Sequence, residues 1–171
     1  RGNAQVMAGQ SMRYDLTVAN TSNVPLESFF WHDKIPYDVA RPMTLTTGTY
    51  SARLNYRILY KTNYNASYQV LASNLLTSNN YSFALNAIPM QAGEVVTDIY
   101  FDFGKVPVGF QSTANPTLSV MVNGNAVNGY YMVNRADVGG KYQGTWQTAT
   151  ASWVTIICRL WNTPTLPKTG Y

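Results

Sequence analysis

VVTDIYFDFGKVPVG, residues 95–109, decides the fold. Val95, Thr97, Ile99, Phe101 and Phe103 fall on one side of an extended chain and Asp98, Tyr100 and Asp102 on the other, the period of two of a strand with one buried face. Gly104, Pro107 and Gly109 end the run. The same alternation recurs in both directions along the chain. Met12 to Asn20 places Tyr14, Leu16 and Val18 opposite Arg13, Asp15 and Thr17, and Leu54, Tyr56, Ile58 and Tyr60 alternate with Asn55, Arg57, Leu59 and Lys61 after the break at Thr47-Gly48-Thr49. Tyr68 to Ala72 is the expected neighbour of that second strand, reached through Asn63-Tyr64-Asn65. Leu118 to Val122, Tyr130 to Asn134 and Trp153 to Trp161 complete the set, with NGN and DVGGK read as turns.

No long stretch carries an apolar stripe at helical spacing, although SNLLTSNNYSFALNAI has room for one helical turn. Seven to nine strands with frequent Gly, Pro and Asn turns therefore predict an all-β fold, an antiparallel β-sandwich of immunoglobulin-like type, with a jelly roll as the alternative. The expected organisation is an N-terminal linker at 1–10, the sandwich domain at 11–161 and an extended, flexible tail at 162–171.

Composition narrows the function classes. A chain of 171 residues suits one domain, and 46% hydrophobic against 12% charged residues describes a globular protein poor in ions. The net charge of +4 comes from basic residues scattered singly, with no run of three, so the phosphate-neutralising patch that nucleic-acid binding needs is not expected. The lone Cys158 excludes an internal disulfide and a cysteine zinc cluster. No run of eighteen apolar residues offers a membrane span.

Catalytic material is sparse. The single imidazole, His32, stands in FFWHDKIP at the end of an aromatic strand, where a packed or turn-capping ring is expected rather than a catalytic base. A thiol nucleophile would need Cys158 beside it. Alternation instead groups Cys158 with Val154, Ile156 and Leu160 on one face of the last strand, among core aliphatics, where a thiol acts as a small hydrophobe. Glu94, Asp98 and Asp102 are four apart, and Asp98 and Asp102 would lie about 13 Å apart along a strand, too far to share a cation. No metal and no cofactor is expected. Thirteen Tyr and four Trp offer material for a sugar-stacking platform, but no single loop concentrates them, and Tyr is a favoured strand residue in its own right.

The end of the chain carries the sharpest signal. In TPTLPKTGY, Pro164 and Pro167 exclude helix and favour an extended backbone, and a chance match to L-P-x-T-G in 171 residues is on the order of a few in a thousand. Leu166, Pro167, Lys168, Thr169 and Gly170 resemble the sorting signal of Gram-positive cell-wall-anchored surface proteins. The resemblance implies that a sortase is the partner, that Thr169 becomes the point of wall attachment, and that an amine of the peptidoglycan cross-bridge displaces Gly170 and Tyr171. It places the protein at the cell wall, on the extracellular surface, and puts membrane contact only in a C-terminal apolar span that this sequence does not include. Nine residues from Asn162 to Gly170 would span roughly 30 Å when extended, enough to hold the Thr169-Gly170 bond clear of a domain.

The opposite end adds to the resemblance. QVMAGQSMRYDLTVANTSNVPLESFFWHDKIP, with Val6, Gly9, the strand through Tyr14, Leu16 and Val18, the turn at Asn20-Thr21, then Pro25, Leu26, Asp33 and Ile35-Pro36, is similar to the start of a repeat found in bacterial surface proteins and fimbrial subunits. This family reading implies a non-catalytic stalk domain. Its alternatives are an adhesin that binds a host glycan or protein through exposed aromatics, and a pilus subunit in which a lysine such as Lys61 receives a neighbour's threonine. Many domains of this family carry an isopeptide bond between a Lys on the first strand and an Asn or Asp on the last. Here the first strand offers Arg13 and no Lys, and the final strand Arg159 and no Asn before Asn162; Lys34 or Lys61 with Asn134 stays conceivable, and no crosslink is expected.

Overall fold

The computed structural model describes residues 5–158. Thirteen strands follow one another in the order β1 Gln5–Met7, β2 Ser11–Asp15, β3 Leu26–Lys34, β4 Ala40–Thr46, β5 Thr49–Tyr50, β6 Asn55–Thr62, β7 Asn65–Leu76, β8 Ser82–Ala84, β9 Val96–Val106, β10 Ser112–Ala114, β11 Thr117–Val122, β12 Tyr131–Tyr142 and β13 Thr145–Cys158. A single 3-10 turn, Leu85–Ala87, lies in the stretch where the sequence leaves room for one helical turn. The strands build an antiparallel sandwich. One sheet of seven runs β1-β13-β12-β3-β9-β6-β7, a second of four runs β2-β11-β4-β8, and β10 and β5 form a small ribbon.

The alternation in the opening stretch sets the sandwich core. Ile99, Phe101 and Phe103 on β9 are buried, as are Tyr56 and Ile58 on β6 and Phe29 and Trp31 on β3. Trp31 and Phe101 meet edge to face at 4.9 Å, while Tyr50 stacks on Phe110 at 5.4 Å and meets Phe103 at 5.0 Å. Leu118, Val120 and Val122 on β11 and Tyr14 on β2 close the core from the second sheet. Pro42 is tolerated in β4 because β8 pairs only with Thr44, Leu45 and Thr46, so at Pro42 that side of β4 has no ladder to which a missing N–H would be owed.

Three readings of where strands and turns lie need correction. The stretch 1–10, read as a linker, contributes β1, which pairs in parallel with Ile156, Ile157 and Cys158 and buries Val6. The strand read from Met12 to Asn20 is a ladder only to Asp15. Beyond it Leu16 and Val18 stay buried, but the backbone changes partners, with Leu16 N–H donating to the Pro116 carbonyl at 3.0 Å and Val18 accepting from Ser112 N–H at 2.8 Å.

DVGGK, read as a turn, lies inside β12, and the real turn is Gln143-Gly144, where both residues take positive φ (49° and 79°) as a two-residue hairpin requires. The glycine pair serves packing. A methyl at Gly139 would stand 2.1 Å from the Gln147 carbonyl oxygen, and one at Gly140 would stand 2.8 Å from that of Glu27. Glycine in a strand marks such close approaches of backbone to backbone.

Candidate functional site

The pentapeptide Leu166, Pro167, Lys168, Thr169 and Gly170 lies outside the described residues, which end with β13 at Cys158. That end of β13 is held on both sides. The Cys158 carbonyl accepts the Ala8 N–H at 2.8 Å, and the Ile157 carbonyl accepts the Gly129 N–H at 2.7 Å.

Cys158 itself is half-buried, and the face assigned to it is reversed. Val154 is 50% exposed, whereas Thr155 and Ile157 are buried. The aliphatic run Val154, Ile156, Cys158 looks like the core face, but the inward position between Trp153 and Ile157 is taken by a threonine that enters a polar pocket.

That pocket is built by Asp33 of β3, Asn134 of β12, Thr155 of β13 and, from the facing sheet, Tyr14 of β2. Asn134 Nδ2 donates to Asp33 Oδ1 at 2.7 Å. Asp33 Oδ2, Asn134 Oδ1, Thr155 Oγ1 and Tyr14 OH are buried without a well-formed hydrogen bond among the described residues. Burial pushes the Asp33 carboxyl up to about 7, against the downward pull of the Asn134 hydrogen bond and the nearby His32. Burial, with the Asp33 charge, also raises the Tyr14 hydroxyl well above its ordinary value, and the Thr155 hydroxyl only partly offsets this. A neutral carboxyl in the core is a proton donor that these oxygens can use.

Neither lysine considered for a crosslink is in this pocket. Lys61 alternates with the buried Tyr60 and Thr62, so it points outward, and its ammonium lies 4.7 Å from the centre of the Tyr68 ring. Lys34 is exposed and is paired in the ladders with Asp98 and Arg135.

The outer face of the seven-stranded sheet holds the other cluster. Register brings Phe30, His32 and Lys34 of β3 beside Asp102, Tyr100 and Asp98 of β9, which in turn face Arg57, Leu59 and Lys61 of β6. His32 is neither in the core nor at a turn. Its Nε2 lies 2.6 Å from Asp98 Oδ2 and its Nδ1 3.3 Å from Asp137 Oδ2, so the ring joins β9, β3 and β12. Burial alone would lower the imidazole pKa, but the hydrogen bonds and charges of Asp98 and then Asp137 outweigh it and raise the value.

Burial likewise works against ionised Asp98, but bonds from His32 and Thr97, helped by the charges of His32 and Lys61, hold its carboxyl below the usual range. Asp137 also accepts from the Thr150 hydroxyl at 2.7 Å. With a carboxylate on each nitrogen, the ring has no free position for taking a proton from a substrate.

An aromatic stripe crosses the same face. Trp146 meets Phe30 at 5.7 Å, Phe30 stacks on Tyr100 at 5.3 Å, and Tyr100 meets Tyr68 at 5.2 Å. Trp146 reaches Phe30 across β12, which carries Gly139 at the position paired with Phe30. A lysine covers a ring at each end, Lys141 over Trp146 at 4.9 Å and Lys61 over Tyr68 at 4.7 Å. The sequence hides this cluster because its four rings come from four strands. The one signal is that FFWHD and IYFDF carry rings at both parities, which a strand with a single apolar face does not.

Comparison with known proteins adds no assignment. No family model matches the chain, and no curated protein matches it. Among solved structures, a chain described as "AvmM Catalyzes Macrocyclization in Alchivemycin A Biosynthesis" is similar at 8% identity with a TM-score of 0.37, over 90% of this chain and 84% of that one. A likeness that slight carries no argument about activity. Among the described residues no group of three His, Cys, Asp or Glu could hold a metal ion, and no helix is long and apolar enough to cross a membrane.

Proposed function

We propose that this chain is a non-catalytic cell-surface stalk domain that a sortase joins to peptidoglycan through Thr169. The observation that carries the reading is the L-P-K-T-G pentapeptide at 166–170, downstream of the last strand of an all-β sandwich. In this reading Leu166 and Pro167 are bound in the enzyme's groove, and a thiolate attacks the Thr169 carbonyl. The Thr169-Gly170 bond then breaks, the Gly170 amine takes a proton and leaves with Tyr171, and a cross-bridge amine resolves the thioester into an amide. In this reading the protein's own part is to supply the pentapeptide, in which Pro167 restricts the backbone to conformations other than helix.

Two features of the sandwich support a stalk over its alternatives. On the outer face a lysine lies over the Trp146 ring and another over the Tyr68 ring, and Phe30 and Tyr100 stack on each other, so part of the aromatic surface that a sugar would use is engaged within the protein. His32 has both nitrogens occupied, which leaves the only imidazole without a catalytic vacancy.

The reading is tested by incubating the full chain with a housekeeping-type sortase and a fluorescent oligoglycine amine. Wild type is expected to take up the label, and Thr169→Ala is expected not to. A wild-type chain left unlabelled by an enzyme that is active on a control peptide contradicts the proposal.

A further inference from the structure

Strand β13 is the longest in the molecule, and among the described residues most of one edge has no strand beside it. It pairs with β12 along its length, from Tyr131 opposite Ile156 to Tyr142 opposite Thr145, with no shift of register. On its other side β1 covers only Ile156, Ile157 and Cys158, so among the described residues no strand pairs with that edge from Thr145 to Thr155. The two-residue turn at Gln143-Gly144 makes Tyr142 and Thr145 a hydrogen-bonded pair, and alternation then turns the N–H and C=O of Trp146, Thr148, Thr150, Ser152 and Val154 away from β12. The bond from Ala8 N–H to the Cys158 carbonyl, on the β1 side, has the same parity.

Bare edges are normally blunted by charge, proline or a bulge. TWQTATASWVT, residues 145–155, has none of these and is rich in Thr, Trp and Val, which favour strands. The opposite edge of the sheet is treated differently. Strand β7 is broken by three register shifts against β6 and holds Asn74 at a φ of 54°.

We propose that this edge of β13 pairs antiparallel with the same edge of a second copy of the chain, about a two-fold axis through Thr150 that stands perpendicular to the sheet. The segment is self-complementary in that register. On the outer face Thr150 meets its own counterpart, Thr148 meets Ser152 and Trp146 meets Val154, while on the inner face Ala149 meets Ala151 and Gln147 meets Trp153. Hydroxyl pairs and aromatic to β-branched pairs are favourable cross-strand neighbours, and no like charges face each other. The same axis places Thr145 opposite Thr155, so the paired stretch is the whole bare edge and stops where β1 begins. Five outward-directed residues in each copy supply about ten interchain hydrogen bonds. The two seven-stranded sheets become one, and the closed two-fold leaves neither copy of this edge open.

The test is sedimentation velocity on the full chain across a wide concentration series, with two double variants of equal charge count. In the proposed register Thr148→Lys with Ser152→Lys sets lysine against lysine twice, and Thr148→Lys with Ser152→Glu sets lysine against glutamate twice. Within one copy these positions are four apart on a strand, too distant to interact, and both are exposed. Wild type is expected to pass from monomer to dimer with concentration. The Lys/Lys variant is expected to lose association by tenfold or more, and the Lys/Glu variant to retain it. A wild type monomeric throughout, an assembly larger than two, or two variants that associate alike would each overturn the proposal.

Discussion

Replacing Asp33 by Asn should make the protein more stable, and increasingly so as the pH rises. Asp33 is fully buried, and burial pushes its carboxyl up from an ordinary 3.8 to about 7. Between those values the native state holds a proton that the unfolded chain has released, so stability falls as pH rises through this window and levels off above it. The full displacement of about three pKa units, at about 1.4 kcal/mol each, amounts to about 4 kcal/mol.

Asparagine has the same shape, accepts the Asn134 bond through its carbonyl, and puts an amide donor where Asp33 Oδ2 has no partner, without ever ionising. The Asp33→Asn variant should therefore exceed wild type by about 2 kcal/mol at pH 5 and by about 4 kcal/mol at pH 8. Urea denaturation followed by tryptophan fluorescence at several pH values reads the gap directly, provided the denaturant slope is unchanged. A gap that does not grow with pH, or a wild type that is the more stable at pH 8, refutes the claim that a buried, proton-holding carboxyl sits in this core.

Three further substitutions test the strand packing and the outer clamp. Gly140→Ala should cost about 1–3 kcal/mol, because the new methyl meets backbone that cannot move cheaply, while Gly124→Ala, where no atom lies within 4 Å of the added carbon, should stay within about 0.5 kcal/mol of wild type in the same urea assay. His32→Gln should cost about 1–3 kcal/mol near pH 5 and progressively less as pH rises, since a group with a raised pKa contributes fully below its unfolded value and loses that contribution as pH passes its folded one. A cost for His32→Gln that is independent of pH would show that the ring acts by packing alone.

Much of the sandwich is legible in single strands. The run from Leu54 to Lys61 carries its own inside and outside, and so does the run from Val95 to Phe103 from Ile99 onward, whereas Val96 and Asp98, on the side read as outward, are buried with Thr97. What alternation cannot supply is register and proximity. Thr155 and Asn134 look like ordinary surface residues until the β12–β13 pairing turns them inward beside Asp33, and reading their strand as polar outside reversed the face on which Cys158 was placed.

Gly139-Gly140 has the composition of a turn, yet it lies mid-strand because three backbones converge there. Local sequence encodes that permission without saying which use is made of it. The aromatic stripe fails for the same reason, since Trp146, Phe30, Tyr100 and Tyr68 are neighbours only across the sheet. The L-P-K-T-G pentapeptide is the reverse case, since the function proposed for it rests on its sequence alone and needs no fold.

The most direct measurement is a fragment-mass analysis of the C-terminal peptide after reaction with a sortase and an isotopically labelled amine, with a control L-P-x-T-G peptide in the same tube. A new amide is expected at the Thr169 carbonyl, with Gly170 and Tyr171 recovered as a free dipeptide. An intact Thr169-Gly170 bond after the control peptide has been consumed, or label attached at any other residue, contradicts the proposal.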